Sequence, residues 1–138
     1  MKAVIDTCVI LDAIQERKPF YEDAQALIIH NANKQYQGYL TAKALTDIYY
    51  LTHRQLHSDK DTREVISKLC KLFGIIDTAA IDVRRAIFSE ISDYEDAVMV
   101  ESAVRSGMDC IVTRNIKDYS KANIAVYTPD EFISILTH

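Results

Sequence analysis

Apolar residues along the chain form short runs separated by longer amphipathic stretches. Helical spacing is clear where Phe20, Ala24, Leu27 and Ile28 recur three and four positions apart. The short runs are rich in β-branched residues, which favours buried strands. They are Lys2 to Asp6, Gly38 to Thr41, Ile75-Ile76, Cys110 to Thr113 and Ala125 to Tyr127. Strands that alternate with helices predict an α/β fold, with helices on both faces of a central parallel sheet.

Helix boundaries are predicted from capping residues, Pro and Gly. Pro19 is expected in the first turn of a helix, and another helix is expected from about Ala79 to Ile91. Two capping-box patterns, Ser58 with Asp61 and Ser92 with Glu95, predict helix starts, and so does Thr128-Pro129. Gly74 and Gly107 are each expected to end a helix.

Composition indicates one domain over residues 1–138, without a linker or an internal repeat. The net charge of -4 argues against a protein that holds nucleic acid through a basic surface alone. Bound divalent cations would offset that charge. Cys8, Cys70 and Cys110 are widely spaced, which favours reduced thiols and a cytoplasmic protein over a disulfide framework or a zinc site. No apolar run approaches the length of a membrane span.

Acidic residues stand at positions where a sheet collects its ligands. Asp6 ends the first strand, and Asp118 follows the fourth; the carboxyl ends of parallel strands share one edge. Asp96 and Asp93 lie at the start of a helix, where Asp93 shares a helical face with Asp96. Asp47 lies inside a helix, where Asp is a poor helix former. A buried carboxylate such as Asp6 needs a partner, because an unpaired charge is costly to bury.

Each acid also has an ordinary structural interpretation. Asp6 is a candidate N-cap, Asp93 and Asp96 favour a helix N-terminus, and Asp118 suits a loop. Together, however, the carboxylates form an all-oxygen set that suits Mg²⁺ or Mn²⁺. Two such ions activate a water and stabilise the leaving oxygen in phosphodiester hydrolysis.

Other catalytic motifs are absent from the sequence. His53 and His57 are four residues apart, but Arg54 occupies the position where a zinc protease needs Glu, so we predict that neither is a metal ligand. No glycine-rich dinucleotide loop, phosphate-binding GK[ST] loop or serine elbow is present. The eight tyrosines are interpreted as core or interface residues.

Three segments together resemble the PIN-domain ribonucleases, in particular the VapC-like toxins of toxin–antitoxin modules. They are AVIDTCVILD, ALTDIYYLTHR and DYEDAVMVESAVRSGMDCIVTRNIKDY, followed by VYTPDEFI. The resemblance covers the whole chain and implies a three-layer α/β/α sandwich. It also implies Mg²⁺- or Mn²⁺-dependent cleavage of RNA, a small antitoxin as partner, and room for a homodimer.

Carried over residue by residue, the resemblance implies roles for nine positions. Asp6, Asp96 and Asp118 match catalytic, metal-binding acids, and Asp93 is an additional metal-ligand candidate. Asp47 matches a catalytic position usually held by Glu, and its shorter side chain suggests contact through water. The supporting polar residues are Thr113 and Asn115, while Arg114 and Lys117 either steer the RNA backbone or are solvated surface charges.

Two other function classes stay open at this point. A haloacid-dehalogenase-type phosphatase also begins with a strand-end Asp, but it needs a second Asp where this chain has Cys8. A non-catalytic interaction module of the same fold would not need the acids, and metal titration separates it from a nuclease.

Overall fold

The computed structural model describes residues 1–138, which form five strands and seven α-helices. The strands are β1 (Lys2–Ile5), β2 (Gln37–Thr41), β3 (Gly74–Ile76), β4 (Cys110–Val112) and β5 (Ala125–Tyr127). The helices are α1 (Thr7–Ile14), α2 (Tyr21–Ala32), α3 (Ala42–Leu56), α4 (Asp59–Leu72), α5 (Ala80–Ala86), α6 (Tyr94–Arg105) and α7 (Pro129–Leu136). A short 3₁₀ helix, Ile116–Tyr119, lies between β4 and β5.

All five strands are parallel, and their order across the sheet is β3-β2-β1-β4-β5. The central strand β1 pairs with β2 on one side and with β4 on the other; Val4 is aligned with Tyr39 and with Ile111. The winding of the chain therefore reverses at β1. Open parallel sheets bind ligands at such a reversal, outside the carboxyl ends of the strands.

Alternate residues of β1 face two separate cores, which gives the molecule its three layers. Ala3 and Ile5 face a core of 15 buried residues that includes side chains of α1, α2, α3, α4 and α7. Val4 faces a second core of 11 buried residues that includes side chains of α5 and α6. The predicted α/β fold, with a parallel sheet between two helical layers, is confirmed.

Several predicted helix boundaries are also confirmed. The Ser58 hydroxyl accepts a hydrogen bond from the amide of Asp61 at 3.1 Å. The Thr128 hydroxyl accepts one from Glu131 at the start of α7. Gly107 follows α6 with a φ of +72°, a left-handed conformation that favours glycine.

Two predicted helix starts are wrong. Pro19 lies before α2, which begins at Tyr21. The N-cap of α6 is Asp93, not Ser92, because the Asp93 carboxylate accepts a hydrogen bond from the Asp96 amide at 3.0 Å. Asp is as good a helix cap as Ser, so the adjacent residues compete and the local chain direction decides.

The predicted helix from Ala79 to Ile91 is too long, since α5 ends at Ala86. Phe88, which helical spacing places on one line with Ile81, Arg84 and Ile91, is 87% exposed. Gly74 also differs from its prediction: it begins β3 and does not terminate α4 as a left-handed residue. A Cβ at Gly74 would lie 2.4 Å from Tyr39 Cε1, so the position allows the Tyr39 ring to pack against the neighbouring strand.

None of the helices has the combination of length and apolar composition that crossing a membrane requires.

Candidate active site

Asp6 follows β1 at the carboxyl edge of the sheet and is 8% exposed. Its Oδ2 accepts a hydrogen bond from Thr113 Oγ1, the residue after β4, at 2.8 Å. Asp6 occupies the N-cap position of α1, but its side chain forms no capping hydrogen bond. The capping interpretation is therefore wrong for this carboxylate, which points across the sheet edge towards the neighbouring strand.

Tyr119 connects Asp6 with Asp96 through a buried hydroxyl. The hydroxyl lies 3.2 Å from Asp6 Oδ2 and 3.0 Å from Asp96 Oδ1. Because a phenol carries one hydrogen, it donates to one of these carboxylates at a time. The fold thus brings together two acids that the sequence separates by ninety positions. Tyr119 is a site residue that the sequence analysis missed, since the tyrosines were interpreted as core or interface residues.

The Asp96 carboxyl carries the electrostatic signature of a cluster of like charges. Burial raises the pKa of Asp96 to about 6, and the negative charges of Asp6, Asp93 and Asp118 add to that rise. The hydrogen bond from Tyr119 opposes the rise without cancelling it. Uncompensated carboxylates of this kind are common at functional sites.

The charges of Asp93 and Asp118 both act on Asp96. Asp93 Oδ1 is occupied by the Asp96 amide, so the residue caps α6 while its charge acts on Asp96. Asp118 is exposed on the 3₁₀ helix, and its charge also raises the pKa of Asp96. The structure therefore places four of the five predicted acids in one electrostatic group, of which only Asp6 and Asp96 share a hydrogen-bond partner.

The donor chemistry of this group fits a hard divalent cation, because all of its ligating atoms are oxygens. In this conformation no three His, Cys, Asp or Glu side chains are placed to hold a metal ion together. Asp6 and Asp96 are the pair best placed to begin such a site. Binding a cation there would relieve the repulsion that the raised pKa of Asp96 records.

Asp47 lines the same cavity but has a different partner. The cavity has a volume of about 330 Å³, and its walls include Asp6, Asp96, Asp47 and Lys43. Lys43 Nζ lies 2.6 Å from Asp47 Oδ2 and 3.5 Å from Glu95 Oε2. Burial opposes the charge on Lys43, but the two carboxylates outweigh it and raise the pKa of Lys43. Asp47 is thus positioned by a lysine in the wall of the site.

Thr113 and Asn115 support the site in different ways. The Thr113 hydroxyl donates to Asp6 and accepts the backbone amide of Asn115 at 3.2 Å. Asn115 therefore orients Thr113 through its main chain, while its side chain is exposed.

Arg114 forms an ion pair, so it is not a fully solvated surface charge, and its role in steering the RNA backbone stays a prediction. Its Nε lies 2.9 Å from Oδ2 of Asp12, and its guanidinium lies 4.4 Å from the centre of the Phe20 ring. Asp12 is 1% exposed, so leaving it without a cation would be costly. Arg114 fastens the segment after β4 to α1. Lys117 is exposed and lines a surface cavity together with Asn115 and Asp118.

Comparison with known proteins agrees with this architecture. The family model described as PIN domain matches residues 2–117. The chain therefore belongs to the PIN-domain family. No curated protein sequence matches the chain significantly.

Solved structures share the fold at low sequence identity. A toxin–antitoxin complex from Klebsiella pneumoniae superposes with a TM-score of 0.69 at 21% identity, covering 92% of this chain and 97% of that one. FitAcB from Neisseria gonorrhoeae gives a TM-score of 0.62 at 18% identity over 92% and 97% of the two chains. VapC20 of Mycobacterium tuberculosis, a toxin that cleaves the sarcin–ricin loop, gives 0.66 at 11% identity over 89% and 98%.

Proposed function

We propose that this protein is a Mg²⁺- or Mn²⁺-dependent endoribonuclease. The observation that carries the proposal is the pair Asp6 and Asp96, joined by the Tyr119 hydroxyl at the carboxyl edge of the sheet. The fold is shared with VapC20, a toxin that cleaves the sarcin–ricin loop. Because a fold alone does not define a reaction, the support for nuclease chemistry comes from the carboxylates at the point where the winding of the chain reverses.

Each residue of the site has a task in this chemistry. Asp6 and Asp96 would hold the principal cation, and Asp118 would complete the ligand set. When bound, the cation would activate water and neutralise charge on the phosphate. Thr113 and Tyr119 fix the rotamers of the two carboxylates by donating hydrogen bonds to them. Asp47 keeps Lys43 in the wall of the cavity, where its ammonium group offsets part of the acidic charge.

The test is cleavage of a panel of single-stranded and structured RNAs with Mn²⁺ and with a chelator. We expect Mn²⁺-dependent cleavage by the wild type, and its loss in Asp6→Asn and Asp96→Asn. Asp23→Asn, an exposed change on α2, serves as the matched control and should cleave normally. Cleavage that survives in both site variants would refute the assignment, whereas a wild type that neither binds metal in a titration nor cleaves RNA would favour the interaction module.

The cellular role that we propose is that of a toxin held inactive by a small antitoxin protein. Its support is the shared fold with toxin–antitoxin complexes from three bacteria, including Salmonella typhimurium at a TM-score of 0.65. The acidic site itself suggests how a partner would inhibit. An inserted Arg side chain pairs bidentately with carboxylates and would compete with the cation at Asp6 and Asp96.

Expression in a bacterial host tests this role. The wild-type chain should arrest growth, Asp96→Asn should not, and co-expression of the neighbouring small reading frame should restore growth. Harmless expression of an active nuclease would contradict the toxin role while leaving the ribonuclease assignment intact.

A further inference from the structure

A basic and aromatic surface continues from the acidic cavity along one face of α3. Lys43, Asp47, Tyr50 and Arg54 recur three and four residues apart, which places them on the same side of the helix. Lys43, Asp47 and Tyr50 line the cavity that contains Asp6 and Asp96. Arg54 lies about three helical turns beyond Lys43 and lines a second cavity. We call this face the α3 track.

The two cavities adjoin at one residue. Leu51 belongs to the wall of the cavity of about 330 Å³ and also to the wall of the second one, of about 480 Å³. The second cavity is lined by polar and basic side chains together with Leu51: Gln15, Arg17, Arg54 and Gln55. The cavity that Arg54 lines is therefore next to the acidic cavity, and a ligand that extends past Leu51 would reach Arg54.

Charge on this path changes from negative to positive. Lys43 is the only basic residue in the wall of the acidic cavity, which contains four carboxylates. The second cavity contains two arginines and no carboxylate. Arg54 forms no ion pair, whereas Arg17 is shared with Asp12 at 3.8 Å. Although the net charge of the chain is -4, Arg54 and Arg17 make the wall of this cavity positively charged, which suits phosphate groups.

Tyr50 stands between the lysine and the arginine. Its ring is 69% exposed, and its edge contacts the neighbouring Tyr49 ring at a centroid distance of 5.8 Å. Tyr49 in turn stacks on His53. A large exposed aromatic side chain in a cavity wall, backed by other rings, is a platform on which an unpaired base stacks.

We propose that the α3 track binds a single-stranded segment of the RNA substrate, with Lys43 and Arg54 on phosphates and Tyr50 against a base. The inference rests on the proposed ribonuclease function and adds to it the side chains of α3 that contact the RNA. With a helical rise of about 1.5 Å per residue, Lys43 and Arg54 lie roughly 16 Å apart, which spans roughly three to five nucleotides. A paired strand does not offer its base faces to Tyr50, so the track selects loops and unpaired ends.

Fluorescence anisotropy with a labelled single-stranded hexaribonucleotide tests the track, in an Asp96→Asn background that prevents cleavage. Tyr50→Ala should weaken binding by about tenfold, and Tyr50→Phe, which keeps the ring, should bind within about twofold of the parent. Lys43→Gln and Arg54→Gln should each weaken binding and lower the salt dependence by about one phosphate contact, whereas a structural role would leave that slope unchanged. The same oligonucleotide paired with its complement should bind more weakly.

Lys68→Gln is the matched control, because Lys68 is exposed on α4 and lines neither cavity. Binding that is unchanged in the Tyr50, Lys43 and Arg54 variants, while the wild type still cleaves RNA, would overturn the track and leave the ribonuclease assignment standing. Equal affinity for the paired oligonucleotide would refute stacking on Tyr50. Loss of a co-purifying protein in Tyr50→Ala, with RNA affinity intact, would assign the surface to a protein partner instead. A wild type that neither binds nor cleaves RNA would refute the proposed function itself.

Discussion

Asp82 on α5 contacts α6, and Asp96 lies in the first turn of α6, but the surroundings of these two aspartates are opposite. Asp82 is 1% exposed and accepts hydrogen bonds from Arg105 Nε and Nη2, each at 2.9 Å. Its Oδ2 also accepts the Ser102 hydroxyl at 3.0 Å and the Ala79 amide at 2.8 Å. Asp96 has one hydroxyl partner and is surrounded by other carboxylates.

The pKa values of the two carboxyls follow from this difference. Burial alone would raise the pKa of Asp82, but the hydrogen bonds from Arg105 and the backbone hold it below its usual range. Burial raises the pKa of Asp96, and its neighbours raise it further. Asp82 therefore stabilises the fold by joining α5 to α6, whereas Asp96 costs stability. A carboxylate that costs stability in the unliganded protein is a candidate for binding a ligand, which is the role proposed above for Asp96.

The largest effect on stability is expected at Asp82. Asp82→Asn removes the charge that holds Arg105, and we expect the free energy of unfolding to fall by about 2–4 kcal/mol. Urea denaturation measures the change, with Asp23→Asn as an exposed control near zero. A change as small as that of the control would mean that the Asp82–Arg105 pair does not join the two helices.

Binding of a divalent metal should give the next largest change in stability, and this change should depend on Asp96 but not on Asp82. At a hundredfold excess over its Kd, Mn²⁺ should stabilise the wild type by about 2.7 kcal/mol. Thermal denaturation with and without Mn²⁺ measures this increment. It should persist in the Asp82 variant and disappear in Asp6→Asn and Asp96→Asn. An increment that survives in both site variants would place the metal elsewhere.

Asp96→Asn should stabilise the metal-free protein by about 1–2 kcal/mol at neutral pH, because it removes a repelled charge. The gain should depend on pH with a defined sign. Well below about pH 4 the carboxyl is protonated in both the folded and the unfolded state, so it carries no penalty. As pH rises towards 6 the unfolded state ionises first, and wild-type stability falls relative to the variant.

Asp82 should show the opposite pH dependence. Its contribution is complete above the usual carboxyl range and is lost as pH falls through its lowered pKa. Denaturation curves recorded at intervals of about one pH unit, from about pH 3 to about pH 7, distinguish the two residues, because their contributions change with pH in opposite directions. An Asp96→Asn gain that shrinks as pH rises would contradict the assigned charge cluster.

The smallest effect is expected for the two histidines of α3 and its C-cap. His53 stacks on Tyr49, and His57 follows the helix with a φ of 55°. Changing both to Gln should leave Mn²⁺ affinity and metal-dependent cleavage almost unchanged. Calorimetric titration checks the affinity, and a loss of about a hundredfold in a folded variant would show that they support a metal.

Local signals in the sequence pointed to Asp6 and Asp96, which the structure brings together at the sheet edge. Asp6 and Asp96 were identifiable because each terminates or begins an element at the carboxyl edge of a parallel sheet. The partners of those carboxylates were not identifiable in the same way. Tyr119 meets Asp6 across 113 positions, and Arg114 meets Asp12 across the sheet edge. Such pairs are decided by packing, which a single sequence does not display.

The overlong helix from Ala79 shows a different limit. Periodicity identifies an apolar helical face but does not show whether another element covers it. Phe88, for example, is the most exposed of the large hydrophobic side chains. The capping error at Ser92 has a local cause, because Asp93 beside it is equally suited to cap. Elements with one unambiguous signal, such as Gly107 after α6, were predicted correctly.

The contact between Arg114 and Asp12 has a consequence for how ligands bind. The eight-residue helix α1 begins directly after Asp6, and Asp12 near its end holds the segment that carries Thr113 and Tyr119. Asp6 and the segment whose Thr113 and Tyr119 side chains contact it are therefore attached to one short rigid element. A site preorganised in this way has little conformational entropy left to lose when it is occupied, so more of the contact energy is retained as affinity.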